Sequence, residues 1–248
     1  MNVPADWFRQ WFNSPYYHKL YFERDEHEAA SFIDSLLVYL QPASGSLMLD
    51  VACGRGRHAR MLAAKGFDVT GFDLSPDSID FARQFENDHL HFYEHDVRAP
   101  FWINYFDYAF NFFTSFGYFR TEREHHNAIR TISQALKSNG VFVIDYLNAH
   151  YAEEHLVAES EKEIDGVHYH LTKKCDETHF YKRIIIEDKA LKEPLEFVEK
   201  VAKFSLADFK RILESNGLQV QHVFGDFMLN EFDEKKSPRL LVVASKKV

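Results

Sequence analysis

From Leu47 to Tyr146 short apolar runs alternate with stretches whose apolar positions recur every three or four residues. The runs Leu47 to Val51, Phe67 to Phe72, Leu90 to His95, Phe106 to Phe112 and Gly140 to Tyr146 predict buried strands. Between them, Arg57 to Ala64 predicts a helix stopped by Gly66. Ser75 predicts the cap of a second helix, with Pro76 at its first position, running to about Phe85. A third spans Glu122 to Leu136 and ends in the turn "KSNG". Strands alternating with helices predict a parallel sheet covered on both faces.

The flanks follow other patterns. Residues from about Ala5 to Phe22 are rich in Trp, Tyr and Phe at partly helical spacing, which suits a lid over a pocket or a helix packed on the core. Ala29, Phe32, Ile33, Leu36, Leu37 and Leu40 form one helical stripe, closed by Pro42 and Gly45. After Asn148, residues 160–204 alternate like strands, with hairpin turns at Asp165-Gly166 and near Asp176. Ser205 caps a further helix ending at Gly217, and two more strands close the chain. The expected units are 1–26, an aromatic helical lid; 27–150, an α/β core; 151–204, an antiparallel insertion; and 205–248, the last helix and strands of the core sheet.

Composition narrows the function. With 248 residues and 46% hydrophobic content, the chain can bury a sizeable core. The net charge of -9 argues against nucleic acid, since phosphate binding needs clustered Lys and Arg. Two distant cysteines, no secretory leader pattern and no membrane-length apolar run point to a cytoplasmic protein without a disulfide framework or membrane partner. The 24 Phe and 12 Tyr are ample for an aromatic pocket.

Chemistry concentrates in "LDVACGRGRHARMLAAKGFDVTGFDLS". A glycine turn between the first strand and first helix lets a ligand press against bare backbone. A dinucleotide would set its pyrophosphate there, but Asp50 at the strand's end would repel that anion. A ligand with a sulfonium and an ammonium would be attracted by the same carboxylate. Asp73, ending the second strand, can accept both hydrogen bonds of a ribose diol, which suits either ligand.

This segment resembles class I S-adenosylmethionine-dependent methyltransferases, in particular the glycine N-methyltransferase-like branch, with Ala52 where the first glycine usually stands. The resemblance implies a doubly wound, mostly parallel seven-stranded sheet with an antiparallel insertion after strand five. It implies S-adenosylmethionine as cofactor, held by Asp50, Ala52, Cys53, Gly54, Gly56, Asp73 and Leu74. Asp96 in "YEHDVR" would meet the adenine amino group, with Val97 beside the ring; backbone at Phe112 would accept from the methionine ammonium; Arg24 would meet its carboxylate. Tyr17, Tyr21, Thr114, Ser115, Tyr118 and Asn148 become the candidate substrate pocket. The implied reaction is methyl transfer to a small-molecule N or O acceptor, with no general base identifiable. A non-catalytic nucleoside-binding module and an NAD(P)-dependent reductase remain as alternatives, and a homodimer through the insertion as an expected assembly.

Other patterns carry less. "HFYEH" has zinc-motif spacing, and "YHLTK" has the spacing of a reductase dyad, but both need a helix and both lie in predicted strands. His168, His170 and His179 suit a surface better than a metal, and Cys53 suits packing better than nucleophilic attack.

Overall fold

A computed structural model describes residues 3, 4, 6–21 and 26–247. Arg24 lies outside the described residues. The core is a seven-stranded sheet in the order β3-β2-β1-β4-β5-β11-β10, formed by β1 (Leu47–Val51), β2 (Asp68–Asp73), β3 (Leu90–Glu94), β4 (Phe106–Asn111), β5 (Leu136–Leu147), β10 (Leu218–Phe224) and β11 (Arg239–Lys246). The first five are parallel, and β11 runs antiparallel to both β5 and β10. The chain winds outward from β1 through β2 and β3, then returns to lay β4 on the other side of β1. Ligands of open α/β sheets bind at such a reversal, at the strands' carboxyl ends.

Helices α3 (Glu26–Leu40), α4 (Arg57–Ala64), α5 (Pro76–Ala82), α6 (Glu122–Ala135) and α8 (Leu206–Ser215) cover the sheet. Their starts follow local chemistry. The Ser75 hydroxyl accepts from Ser78 N, while Thr121 with Glu124 and Ser205 with Asp208 form capping boxes. Two apolar layers result, one on each sheet face. Phe106, Ile132, Phe142 and Phe209 belong to one; Phe32, Leu62, Phe92 and Phe110 belong to the other.

One local expectation is corrected. The N-terminal aromatics form two short helices, α1 (Trp7–Phe12) and α2 (Pro15–Leu20), because Ser14 caps α2 and Pro15 occupies its first turn. β5 begins at Leu136, immediately after α6, but Lys137 to Gly140 bulge out of its pairing with β4, with Asn139 at φ of 62°, so the expected "KSNG" turn lies at the start of the strand. A short helix, α7 (Ala149–Glu154), follows β5.

The insertion is a separate antiparallel sheet, β6 (Glu159–Ile164), β7 (Val167–Cys175), β8 (His179–Glu187) and β9 (Leu195–Ala202), paired in chain order. It packs on α1 and α2 through Trp7, Phe8, Trp11, Leu20, Val167, Tyr169, Ile184 and Ile186. Trp11 is fully buried, 4.7 Å from the Phe197 ring. Helices α1 and α2 and the insertion therefore share one hydrophobic core.

Candidate active site

Three connected lobes occupy the carboxyl end of the sheet. The first is lined by Phe8, Phe72, Leu74, His95, Val97 and Phe119. The second, about 360 Å³, lies between α1, α2 and the insertion, lined by Trp7, Tyr17, Tyr21, Thr114, Glu199 and Arg239. The third runs from Asp50 and Phe112 past Gly54 to Arg55, Arg57 and His58. Ala52 and Ser115 line all three, and Asp73 lines the first two.

The turn after β1 is built for close approach. Ala52, Gly54 and Gly56 all have left-handed backbone, with φ of 57°, 55° and 76°. Ala52 bears roughly 1–2 kcal/mol for that conformation. The two glycines differ in reason. A Cβ on Gly54 would meet no atom within 4 Å, so its bare side faces the cleft. A Cβ on Gly56 would stand 2.4 Å from the Phe92 ring, so that glycine is set by core packing.

Asp73 organises the same turn. Its Oδ2 accepts from Gly54 N at 2.9 Å and its Oδ1 from Ser75 N at 2.8 Å. One lone pair on each oxygen is thereby used, and a second on each is left for a diol. Burial raises its pKa, against the pull of the Ser75 and Gly54 N–H groups.

Asp50 departs from the sequence argument. It is 1% exposed beneath the turn, and its Oδ2 accepts from Ala59 N of α4 at 3.1 Å. Burial pushes its pKa up to about 8, so near neutral pH its charge is largely withheld. Its repulsion of a pyrophosphate is accordingly weaker than an ionised carboxylate at the cleft wall would give, and the electrostatic ground for choosing between cofactors is reduced.

The remaining candidates divide. Leu74, Asp96 and Val97 line the first lobe. Asp96 is gripped by Arg98, with Arg98 Nη2 at 2.7 Å and Nε at 3.0 Å, and Arg9 stands 3.5 Å away. Burial pushes its pKa up, but the Arg98 bonds and charge outweigh burial and the net shift is downward. Cys53 is buried in the third lobe, with its thiol pKa raised by burial, which suits packing rather than nucleophilic attack. The Phe112 side chain is buried, and its carbonyl already accepts from Ser115 Oγ at 2.9 Å, with one lone pair left. Tyr17, Tyr21, Thr114, Ser115 and Tyr118 line the second lobe together.

Asn148 does not line the cleft. Its Oδ1 accepts from His150 N, capping α7, and its Nδ2 donates to Glu234 O and Ser237 O, both at 2.8 Å. The side chain is consumed in tying the end of β5 to the loop before β11.

Tertiary contacts add residues that carry no local motif. Phe113 and Thr114 are consecutive left-handed residues, at φ of 55° and 60°. Asp145, fully buried, holds them by accepting from Phe113 N at 2.8 Å, and its carbonyl accepts from Thr114 N at 2.9 Å. Arg239 of β11 pairs with Asp145 at 2.7 Å and donates to Thr114 Oγ1 at 3.0 Å. Strain held this tightly is characteristic of ligand sites. Glu199 of β9 accepts from Trp11 Nε1 at 2.7 Å and from Tyr21 Oη at 2.8 Å, with Lys182 Nζ 3.8 Å away. His58 is buried and stacked on Phe113 with centroids 5.1 Å apart.

The zinc and reductase spacings fall on strands, His91 on β3 and Tyr169 to Lys173 on β7, so neither has its helix. No helix among the described residues is long and apolar enough to cross a membrane.

Fold and site together define a class: a doubly wound α/β sheet with a cleft at the carboxyl ends of its strands, beside α1, α2 and the antiparallel insertion. Residues 21–223 match the family model for the methyltransferase domain, and the chain belongs to that family of enzymes. The cofactor of the class is S-adenosylmethionine. A Geobacillus sp. (strain WCH70) protein named as a methyltransferase is 25% identical over 240 residues, 93% of this chain and 97% of that one. The dTDP-3-amino-3,4,6-trideoxy-alpha-D-glucopyranose N,N-dimethyltransferase of Streptomyces venezuelae is 30% identical over 130 residues, 52% of this chain and 54% of that one. An S-adenosylmethionine-dependent methyltransferase from Clostridium acetobutylicum ATCC 824 superposes with a TM-score of 0.78 at 18% identity, covering 94% and 96% of the two chains. Family membership displaces the reductase alternative that the glycine turn alone left open.

Proposed function

We propose that this enzyme transfers the methyl group of S-adenosylmethionine to a nitrogen or oxygen of a small molecule held in the second lobe. The observation that carries the reading is the junction of the lobes. There Asp73 is fixed by two backbone N–H groups, with the bare face of Gly54 beside it. These residues fit the nucleoside: Asp73 would hold the ribose diol, Leu74, Asp96 and Val97 the base, and Gly54 and Phe112 the methionine portion. The sulfonium supplies an activated methyl group.

What the chain contributes is orientation and exclusion of water. The strained Phe113-Thr114 turn, held by Asp145 and Arg239, sets one wall of the acceptor lobe. Tyr21, fixed by Glu199, sets another, and α1 with the insertion closes the roof. Glu199 brings a carboxylate to the lobe, partly balanced by Lys182, that can accept from an N–H of an amine acceptor, and we take this to favour an amine, which attacks as its neutral form. The Streptomyces venezuelae relative, named for an amino-sugar substrate, supports the same preference.

The test has two parts. Calorimetry should show S-adenosylhomocysteine binding and no NADH binding. A screen of small amines and alcohols with S-adenosylmethionine should then release S-adenosylhomocysteine with an amine. NADH binding in place of S-adenosylhomocysteine would refute the cofactor, and methylation of RNA or large proteins in preference to metabolites would refute the acceptor class.

A further inference from the structure

The third lobe, whose inner end at Gly54 and Phe112 is the proposed methionine site, carries further charge toward its mouth. The segment "GRGRHAR" puts Arg55 in the turn and Arg60 in α4, and both line this lobe with Arg57 and His18. Arg55 lies over the Phe81 ring at 4.6 Å and Arg60 over the Phe85 ring at 3.8 Å. The rings orient the guanidinium groups without neutralising them. Among the described residues neither arginine makes an ion pair. The Arg55 Nε is buried with no hydrogen-bond partner there.

Two acids lie nearby, and of these Asp77 places one negative charge close to Arg55 and His18. Asp50 lies beneath the turn on Ala59 N, and Asp77 is exposed and accepts from Asn13 at 3.1 Å. His18 is held neutral, its pKa lowered to about 4 by burial and then by the Arg55 charge. The lobe is therefore a local excess of positive charge on a chain of net charge -9. It opens into the acceptor lobe through shared walls at Tyr17, Tyr21, Gly54 and Phe113.

We infer that this arm is an anion subsite, in which Arg55 and Arg60 seat a carboxylate or phosphate group of the methyl acceptor. The inference rests on the methyl-transfer reading above. A guanidinium presents a planar fork that matches either oxyanion, with Arg55 half-buried in the cleft wall and Arg60 exposed at its mouth. An acceptor with an anionic group at one end would be held at two points, its amine toward Glu199 and its anion at the arm. The competing occupant is the cofactor's own carboxylate, and the experiment separates the two.

Protein saturated with S-adenosylhomocysteine is titrated with inorganic phosphate and with malonate, in the wild type and in an Arg55→Gln/Arg60→Gln variant of unchanged melting temperature. One of the anions should bind the saturated complex, and the variant should bind it at least about 10-fold more weakly, as expected for losing charge-assisted bonds. Preference for phosphate assigns a phosphoryl acceptor, and preference for malonate a carboxylate. Competition between the anion and S-adenosylhomocysteine would give the arm to the cofactor and overturn the inference. So would undiminished binding in the variant, or no binding of either anion. Failure of S-adenosylhomocysteine to bind at all would instead refute the methyl-transfer reading; anion binding to the free protein, lost in the variant, would still uphold the arm.

Discussion

Asp73→Ala tests the site at its junction. The wild-type carboxylate spends one lone pair per oxygen on Gly54 N and Ser75 N and offers one more per oxygen to a ribose diol. Two hydrogen bonds to a charged acceptor are worth roughly 1.5–3 kcal/mol each. Burial raises the Asp73 pKa, so part of that gain is spent in ionising the group. A net loss of roughly 2–4 kcal/mol follows, or about 30- to 1000-fold in affinity. The variant also frees two N–H groups of the turn, at about 1–3 kcal/mol of stability, so a lower melting temperature is expected. Calorimetry with S-adenosylhomocysteine and with its 2′-deoxy analogue separates the two effects. The substitution should cost the parent ligand more than the analogue, because the analogue has one hydroxyl fewer to lose. A folded variant binding within about 3-fold of wild type, or losing equally for both ligands, would refute the diol assignment.

The two glycines should respond oppositely. Gly54→Val should abolish S-adenosylhomocysteine binding with a stability loss of only about 1–2 kcal/mol, since its side chain enters open cleft at left-handed φ. Gly56→Ala should unfold at markedly lower temperature, because its Cβ enters the Phe92 ring; a melting temperature equal to wild type would contradict that packing. Asp50→Asn should gain stability over wild type as pH rises. The buried carboxyl has a folded pKa raised to about 8, so the wild type loses stability as pH climbs from the ordinary carboxylate range to 8, and the amide does not. Melts at pH 5 and 8.5 should show the difference widening, and a constant difference would be evidence against the raised pKa. Deleting residues 1–15 should destabilise the whole protein rather than merely open a lid, because Trp7, Phe8 and Trp11 are core residues against the insertion. An unchanged melting temperature would show that α1 is a detachable flap.

Periodicity alone placed the strand–helix alternation from Leu47 to Tyr146 and two of the three hairpins of the insertion, because those signals are local. A buried strand needs a short apolar run, and a helix needs a stripe and a cap. The glycine turn was legible for the same reason: Ala52, Gly54 and Asp73 stand where one strand–turn–helix unit must place them. Tertiary structure alone decided what those residues face. It sent Asp50 beneath the turn and spent Asn148 on a helix cap and a loop. It showed that Gly54 is bare toward ligand while Gly56 is bare toward Phe92. Glu199 and Arg239 entered the second lobe from β9 and β11, with Asp145 of β5 buried behind Arg239, far from the glycine turn in the chain. No sequence period records such meetings, because they depend on where strands land in the sheet. The sheet order itself follows from reversing direction at β1, and that reversal is settled by which hydrophobic faces pack, not by any residue near the site.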